Sequence, residues 1–217
     1  MKKNKLRVAL AGFGVVGKRR YECLINHRDF EVVAAADKKF SSGSHNLEGV
    51  FLCDDYRALF NLDLDVLFVS LPNDAAPDAT KLGIQNDLHV FCEKPPGRSV
   101  EDIQSVAKCY KKKKNLKVKY GFNHRYHDSI KDASKIINSG DMGRVINLRG
   151  VYGKSEFIPW PRPSNEALLR AGAEHWRTSR KISGGGILLD QGIHMVDLMR
   201  FFSSDFEEVK RFVSNSY

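Results

Sequence analysis

A glycine-rich turn near the N-terminus constrains the fold of this chain more than any other feature. Its glycines follow the spacing Gly-x-Gly-x-x-Gly and stand at Gly12, Gly14 and Gly17. An apolar run, Leu6–Ala11, precedes the turn, a segment of helical composition starts at Val15, and a second apolar run covers Glu31–Ala36. Strand, turn, helix and strand in this order predict a βαβ unit, because a crossover of this length suits two parallel strands.

The context of this turn predicts a dinucleotide-binding site. In such units the first glycine permits a tight turn, the second lets the backbone approach a pyrophosphate, and the third allows close helix–strand packing. The N–H groups at the start of the helix would face the phosphates. Asp37 ends the second strand, where a carboxylate can accept a hydrogen bond from a ribose 2′-hydroxyl, which favours NAD. The neighbouring cations Lys38 and Lys39 leave NADP as the alternative, and a glycine turn without a ligand is the purely structural alternative.

Strands and helices continue to alternate up to about residue 122. The predicted strands are Asp65–Leu71, Leu88–Cys92 and Lys117–Phe122, and the predicted helices cover about 77–86 and 100–113. Alternation of this kind predicts a parallel sheet that is covered by helices on both faces. We therefore expect a first domain over residues 1–122.

A different pattern starts at residue 123 and predicts a second α/β domain over residues 123–217. It contains a predicted helix, Ser129–Ser139, a strand, Arg144–Tyr152, a long irregular stretch, Gly153–Ser183, and an apolar helix, Ile187–Phe202. An irregular stretch of that length is usually functional or disordered.

The tripeptide Glu93-Lys94-Pro95 follows a predicted strand directly. In open parallel sheets, ligands bind at the carboxyl ends of the strands. A lysine there can donate a hydrogen bond to a substrate hydroxyl and stabilise the alkoxide that develops as hydride leaves. The alternative is a surface lysine on a turn that contains proline.

The predicted helix Ile187–Phe202 carries three polar residues, Asp190, His194 and Asp197, spaced by four and three positions. Polar groups on a buried helix are costly unless they are satisfied or used. His194 is a candidate acid/base because imidazole titrates near neutral pH, and Asp190 could orient it or bind a substrate hydroxyl. The alternatives are a core histidine satisfied by its neighbour and an Asp-x-x-x-His metal pair. We expect no metal, because the proposed chemistry needs no Lewis acid.

Six motifs in this order resemble those of the Gfo/Idh/MocA oxidoreductase family. They are Ala11–Gly17, Val69–Asn73, His89–Pro95, Gly121–His127, the pair Trp176-Arg177 and Gly184–His194. The resemblance extends over about residues 5 to 203 and implies a doubly wound Rossmann sheet followed by a substrate-binding α/β domain with an open, mainly antiparallel sheet. It also implies NAD(P)-dependent hydride transfer to or from the hydroxyl-bearing carbon of a sugar, sugar-nucleotide or cyclitol.

The same resemblance implies roles for individual residues. The catalytic residues would be Lys94, His194 and Asp190. The cofactor-binding residues would be Gly12, Phe13, Gly14, Val15, Val16, Gly17, Asp37, Lys38, Leu71, Pro72, Asn73, Glu93 and Lys94. The substrate-binding residues would be Lys94, Asn123, Arg125, Trp176, Arg177, Asp190 and His194.

The formal net charge of +9 suggests an anionic partner, although a lysine-rich solvated surface is the simpler explanation. Six cations lie in or near the long irregular stretch: Lys154, Arg162, Arg170, Arg177, Arg180 and Lys181. They favour an anionic sugar, since arginine recognises phosphate and carboxylate well, with a solvated basic loop as the alternative. The run Lys111–Lys114 lacks interleaved aromatic residues, so we expect no nucleic-acid partner.

The cysteines form no Cys-x-x-Cys pair, which is typical of a reducing compartment; they are Cys23, Cys53, Cys92 and Cys109. No apolar span of membrane-crossing length is present. We therefore expect a cytoplasmic protein without a membrane partner.

Members of the family usually continue well beyond residue 217. We therefore expect an incomplete second domain with exposed sheet edges and apolar faces, which would promote self-association into a homo-oligomer. Two further functions remain open on the sequence: a non-catalytic NAD(P)-binding sensor or regulator of the same fold, and a glycosidase that uses NAD transiently.

Overall fold

The computed structural model describes residues 5–42, 47, 49–152, 176 and 179–210. The chain falls into two compact units. The first unit comprises Met1–Gly121 with Ser155–Asp190, and the second comprises Phe122–Lys154 with Gln191–Tyr217. Each unit is described separately below.

The first unit is built on a parallel sheet of six strands. The strands are β1 (Leu6–Ala11), β2 (Phe30–Ala36), β3 (Phe51–Cys53), β4 (Val66–Val69), β5 (His89–Cys92) and β6 (Val118–Tyr120). Their order across the sheet is β3-β2-β1-β4-β5-β6, and every neighbouring pair is parallel. The direction of winding reverses between β1 and β4, which is the switch point where doubly wound folds bind ligands. The predicted parallel sheet is confirmed.

Helices cover this sheet and explain why its strands are almost continuously apolar. They are α1 (Val15–Ile25), α2 (Ala76–Gln85) and α3 (Val100–Tyr110). Successive residues of β1 point into opposite cores: Ala9 and Ala11 pack in one cluster with Leu67 and Ile84, whereas Val8 and Leu10 pack in the other. Both faces of β1 are therefore buried, as the period of two along a strand requires.

One predicted helix start is confirmed, and one short strand appears that the sequence did not predict. Ser99 caps α3 as expected, because its Oγ accepts a hydrogen bond from the Asp102 N–H at 3.3 Å. The edge strand β3 was not predicted, since three residues are too few to show a period. It forms only because the strand Phe30–Ala36 offers a free edge on that side.

The second unit contains helices α4 (Asp128–Ser139) and α6 (Ile193–Phe202) and a 3₁₀ turn at Asn123–Tyr126. A short helix, α5 (Arg180–Ser183), lies between α4 and α6 in the chain and belongs to the first unit. The apolar helix predicted over Ile187–Phe202 is present, but it begins with a π-helical turn, Leu188–Gly192.

The prediction of a strand over Arg144–Tyr152 is wrong. Residues 145–152 are not in a strand, and Ile146 and Val151 are 91% and 83% exposed. A strand needs a neighbour to pair with its N–H and C=O groups, and no described residue supplies one. The described parts of the second unit, 122–152 and 191–210, contain no strand.

Within the described ranges, every helix is too short or too polar to cross a membrane.

Candidate functional site

The turn between β1 and α1 has a geometry that glycine alone can provide at two positions. Gly12 has a φ of +96°, and a Cβ there would lie 2.4 Å from the Ser70 carbonyl oxygen. A Cβ on Gly17 would lie 2.1 Å from the carbonyl oxygen of Gly12. The turn is therefore compressed between β4 and α1, as expected for the tight turn and the close helix contact.

The middle glycine, Gly14, lies in a different environment. It is the N-cap of α1 and is exposed, and a Cβ there would have no atom within 4 Å. No side chain caps α1, and its first turn carries no acidic residue. The helix N-terminus at Val15 and Val16 is thus open to an anion, which fits the pyrophosphate of a dinucleotide.

Asp37 lies next to this turn at the end of β2 and is 21% exposed in its side chain. Its Oδ2 accepts a hydrogen bond from the Phe13 N–H at 2.8 Å, and its Oδ1 accepts one from the Lys39 N–H at 3.2 Å. These bonds hold the carboxylate against the glycine turn, where a ribose would follow the pyrophosphate. Lys38, the other cation of this segment, is exposed.

The segment after β4 starts with the half-buried residues Leu71 and Pro72. Asn73, which follows, is only 6% exposed, and its Nδ2 donates a hydrogen bond to the Ser183 carbonyl at 2.8 Å. The amide group of Asn73 is thus used, at least in part, to hold the segment that leads to Asp190.

Glu93 forms an ion pair that the sequence did not reveal. Its Oε1 accepts hydrogen bonds from both Nε, at 2.7 Å, and Nη2 of Arg20, which lies on α1. The Arg20 guanidinium also lies 5.1 Å from the centre of the Phe91 ring. A Cβ on Gly121 would come within 2.8 Å of Glu93 Oε2, so the carboxylate is packed closely on the residue that follows β6. The pair connects the glycine-turn helix to the Glu-Lys-Pro turn.

Lys94 and Asp190 meet within the first unit although 96 positions separate them. The Lys94 Nζ donates a hydrogen bond to the Asp190 carbonyl at 2.7 Å and lies 3.5 Å from Asp190 Oδ1. Their side chains are 17% and 21% exposed, so the ammonium group is shielded and yet reachable. Asp190 lies in the π-helical turn, a feature that often marks functional positions in helices.

Contacts of the chain before Asp190 explain this meeting. The Arg98 Nη1 donates a hydrogen bond to the Lys181 carbonyl at 2.9 Å. A Cβ on Gly184 would lie 2.5 Å from the Arg98 Cβ, so only glycine lets the two backbones approach so closely. Together with the Asn73 bond to Ser183, these contacts place the start of the predicted catalytic helix beside the Glu-Lys-Pro turn.

His194 lies in the second unit and is 4% exposed. The ring of His124 stacks on it, with centroids 3.9 Å apart and planes only 11° apart, and the Phe122 ring meets it edge-on at 6.4 Å. The sequence indicated the histidine but not this stacking partner. The ring plane of His194 is thereby held by two aromatic neighbours, His124 and Phe122.

Arg125 forms a two-fold hydrogen-bonded pair with Asp197 of α6. The Nε–Oδ2 and Nη2–Oδ1 distances are 2.7 and 2.5 Å, and the hydrogen bond raises the pKa of the Arg125 guanidinium above its usual value. Both acidic residues of the predicted helix, Asp190 and Asp197, thus have a cation of the same unit beside them.

The other predicted substrate-binding residues are placed differently. Asn123 is exposed and Trp176 is half-buried, whereas Arg177 lies outside the described residues.

Two titratable groups behind the Glu-Lys-Pro turn stay neutral. Burial raises the pKa of the Cys92 thiol to about 12, and burial likewise raises the pKa of the Tyr120 hydroxyl. Neither group is suited to proton transfer near neutral pH. Among the described residues, no three His, Cys, Asp or Glu side chains are grouped to hold a metal ion.

The sequence matches two family models in succession. Residues 6–122 match the model of an oxidoreductase family with an NAD-binding Rossmann fold, and residues 130–217 match the Gfo/Idh/MocA C-terminal domain. The chain belongs to the Gfo/Idh/MocA oxidoreductase family. The predicted family resemblance is thereby confirmed.

Relatives within the Gfo/Idh/MocA family include dehydrogenases of sugars and cyclitols. The D-glucoside 3-dehydrogenase of Escherichia coli is 29% identical over 91% of this chain and 54% of its own length. The inositol 2-dehydrogenase of Salmonella typhimurium is 26% identical over 79% of this chain and 54% of its own length. The crystal structure of myo-inositol 2-dehydrogenase from Lactobacillus plantarum has a TM-score of 0.75 and 30% identity, covering 92% of this chain and 57% of that one. The chain thus spans about half the length of the relatives it matches.

Replacing Arg20 with methionine should destabilise this Gfo/Idh/MocA chain by about 1–2 kcal/mol. The change removes the partner of the Glu93 carboxylate, whose side chain is only 16% exposed. Methionine keeps most of the apolar packing on Phe91. The Arg20 side chain is 30% exposed, so solvent screening keeps the cost below that of a fully buried pair. Urea unfolding, followed by circular dichroism, measures the difference.

The matched control is Arg19→Met, because Arg19 is the neighbouring arginine on α1 and is exposed. We expect its unfolding midpoint to stay near that of the wild type. Equal midpoints for the two variants would show that the Arg20–Glu93 pair does not stabilise the fold.

Proposed function

We propose that the chain is an NAD(P)-dependent oxidoreductase that transfers hydride between a nicotinamide cofactor and the hydroxyl or keto carbon of a sugar, sugar-nucleotide or cyclitol. The observation that carries this proposal is the Lys94–Asp190 pair. It places a shielded ammonium group directly after β5, in the same unit as the open glycine turn. A cation at the carboxyl edge of such a sheet is suited to a substrate oxygen that gains negative charge.

NAD is the cofactor that this family's Rossmann fold binds, and the residues present fit it. The open helix N-terminus at Gly14 would take the pyrophosphate, and the Asp37 carboxylate would accept a ribose hydroxyl. Leu71, Pro72 and Asn73 would line the same edge of the sheet. Glu93 would lie along the cofactor, with its carboxylate held by the bond to Arg20.

In the proposed reaction, oxidation of an alcohol removes a proton from oxygen and a hydride from carbon. The bound nicotinamide supplies the hydride acceptor. The Lys94 ammonium, held by the Asp190 carbonyl, would donate a hydrogen bond to the substrate oxygen and stabilise its negative charge. A ring nitrogen of His194 would accept the hydroxyl proton, and reduction would reverse both steps.

Sugars and cyclitols are the proposed substrate class because the named relatives are a glucoside dehydrogenase and inositol dehydrogenases. Asn123, Arg125, Trp176 and Arg177 are the proposed substrate contacts besides the catalytic residues. An anionic sugar remains our proposal from the cations of the stretch before Asp190, of which Arg180 and Lys181 are exposed.

A panel of neutral sugars, cyclitols, sugar phosphates and nucleotide-sugars tests this function, with NADH or NADPH formation followed by absorbance. We expect sustained formation of reduced cofactor with at least one member, and faster turnover with an anionic sugar than with its neutral counterpart. Cleavage of a glycoside without accumulation of reduced cofactor would instead identify a glycosidase.

A non-catalytic dinucleotide-binding regulator is the second candidate. It is favoured by the exposed apolar side chains of Ile146 and Val151 in the second unit, because such side chains suit the surface that a regulator offers to a protein partner. Such a protein would bind NADH but would turn over no substrate of the panel. Binding without turnover would therefore overturn the dehydrogenase proposal and support this one.

We also keep self-association and a cytoplasmic location as proposals. Ile146, Val151 and Val209 are 91%, 83% and 76% exposed, and burial of such side chains between copies is favourable. Light scattering at several concentrations should give a mass of at least two chains. A stable monomer across the range would contradict a homo-oligomer.

A further inference from the structure

The short helix α5 depends on neighbouring loops of the first unit for its position. It has only four residues, and a helix of one turn is unstable by itself because its last carbonyl groups have no partner within it. The Lys181 carbonyl accepts a hydrogen bond from Arg98 Nη1 at 2.9 Å. The Ser183 carbonyl accepts one from Asn73 Nδ2 at 2.8 Å. The two donors come from the loops that follow β5 and β4, so these loops hold α5 in place.

The side chain of Arg98 is itself held in one direction. Asp102 Oδ2 accepts hydrogen bonds from the Arg98 backbone N–H at 2.9 Å and from Arg98 Nε at 3.3 Å. The side chains of Arg98 and Asp102 are 34% and 22% exposed, so the pair is partly shielded from water. The guanidinium therefore reaches α5 from a fixed base, and little side-chain entropy is lost when it binds the Lys181 carbonyl.

The backbones of α5 and Arg98 are also in close contact. Gly184 ends α5 with a φ of +83°, and its N–H donates a hydrogen bond to the Arg180 carbonyl at 2.9 Å. A Cβ on Gly184 would lie 2.5 Å from the Arg98 Cβ and 2.6 Å from the Arg98 Cα. Arg98 therefore holds the end of α5 by packing as well as by a hydrogen bond.

The loop that holds α5 also holds Asp190. The N–H groups of Leu189 and Asp190 both donate to the Gly186 carbonyl at 3.1 Å, which makes the chain before Asp190 a bonded turn. Lys94, which precedes Arg98 in the same loop, donates a hydrogen bond to the Asp190 carbonyl at 2.7 Å. The loop after β5 thus contacts residues 180–190 near their start through Arg98 and at their end through Lys94. A displacement of α5 would be passed along this short connection to Asp190.

We propose that Arg98 is a positioning residue, which holds residues 180–190 so that Asp190 meets Lys94. Its consequence for catalysis rests on the proposed function. Arg98 acts through the Lys94–Asp190 pair and needs no contact with substrate or cofactor in this role. A displaced ammonium group stabilises a developing alkoxide less well, since such stabilisation depends on exact placement. Loss of Arg98 should therefore lower kcat and leave cofactor affinity unchanged.

Hydrogen–deuterium exchange followed by mass spectrometry tests the anchoring in the protein without substrate. Arg98→Met keeps the apolar stem of the side chain and removes the guanidinium. We expect exchange in peptides from residues 180–190 to become at least about fivefold faster, because their N–H bonds open more often, while peptides from β1 stay unchanged. Gly184→Ala should have the same effect, since its Cβ would push α5 away from Arg98.

Steady-state kinetics and NADH titration test the consequence for the reaction. Arg98→Met should lower kcat by about tenfold or more and change the Kd of NADH by less than about twofold. A residue that only stabilised the fold would not produce this difference in a variant that is fully folded at the assay temperature. Arg98→Lys should regain most of the lost kcat, because it again offers a cationic donor to the Lys181 carbonyl.

The matched control is Arg7→Met. Arg7 also donates a hydrogen bond to a backbone carbonyl of the first unit, that of Asp63 at 2.8 Å, and its side chain is 42% exposed. It lies at the amino-terminal end of β1, whereas Arg98 follows the carboxyl end of β5. We expect Arg7→Met to keep the wild-type kcat and the wild-type exchange of residues 180–190. Circular dichroism verifies the fold of each variant, and Gly184→Ala decides the question if Arg98→Met does not fold.

Two results would overturn the proposal while leaving the proposed function intact. One is unchanged exchange of residues 180–190 in the folded Arg98→Met and Gly184→Ala proteins. The other is a wild-type kcat in variants whose residues 180–190 exchange faster. A wild type that binds NADH but turns over no substrate is a different outcome, because it overturns the proposed function and the catalytic role of Arg98 with it.

Discussion

Lys94→Ala should lower turnover of the best substrate in the panel by about 10²–10³ while NADH still binds. The ammonium group is held by the Asp190 carbonyl at 2.7 Å and is only 17% exposed, so its charge acts in a partly shielded place where it is weakly screened. Its absence leaves the developing alkoxide without a charged donor, which raises the barrier and not only the KM. Steady-state kinetics with reduced cofactor as the readout measure the effect on kcat and KM separately.

The control for this variant is Lys114→Ala, which removes an equal charge from an exposed position in the run Lys111–Lys114. We expect its kcat to equal that of the wild type. His194→Ala should also lower kcat, by about 10²-fold or more, and should remove the ionisation of the base from the pH profile. Turnover that survives both Lys94→Ala and His194→Ala would refute the catalytic assignment.

Gly17→Ala should destabilise the first unit by about 3 kcal/mol, or roughly 10 °C in Tm. The new Cβ would lie 2.1 Å from the Gly12 carbonyl oxygen, and this contact is with backbone that cannot rotate away. Either the turn or α1 must shift, and α1 packs against the strands β1 and β2. Thermal unfolding followed by circular dichroism gives the size of the effect.

Gly14→Ala separates the role of the turn in folding from its role in binding. Its Cβ would meet no atom within 4 Å, and its φ of −70° suits an alanine, so the Tm should stay near the wild-type value. The same Cβ would project where the backbone has to approach a pyrophosphate, so NADH affinity should fall by about tenfold or more. A Gly14→Ala protein that keeps full NADH affinity would show that the dinucleotide does not lie on this turn.

Local patterns were sufficient for the parallel sheet. The spacing of the glycines, the apolar runs and the Ser99 cap are properties of neighbouring residues, and each predicts an element where the structure has one. The strand at Arg144–Tyr152 shows the limit of that reasoning, because an apolar segment becomes a strand only when another strand pairs with it. The short strand β3 shows the converse, since pairing alone creates it.

The sequence by itself therefore determined the Rossmann unit, the glycine turn and the residue types suited to hydride chemistry. Tertiary structure alone decided which distant charges meet: Arg20 with Glu93, and Lys94 with Asp190. Propensity and periodicity act over a few residues, whereas these pairs join positions 73 and 96 apart. Such contacts depend on how the strands are ordered in the sheet, and that order appears only when the whole unit is folded.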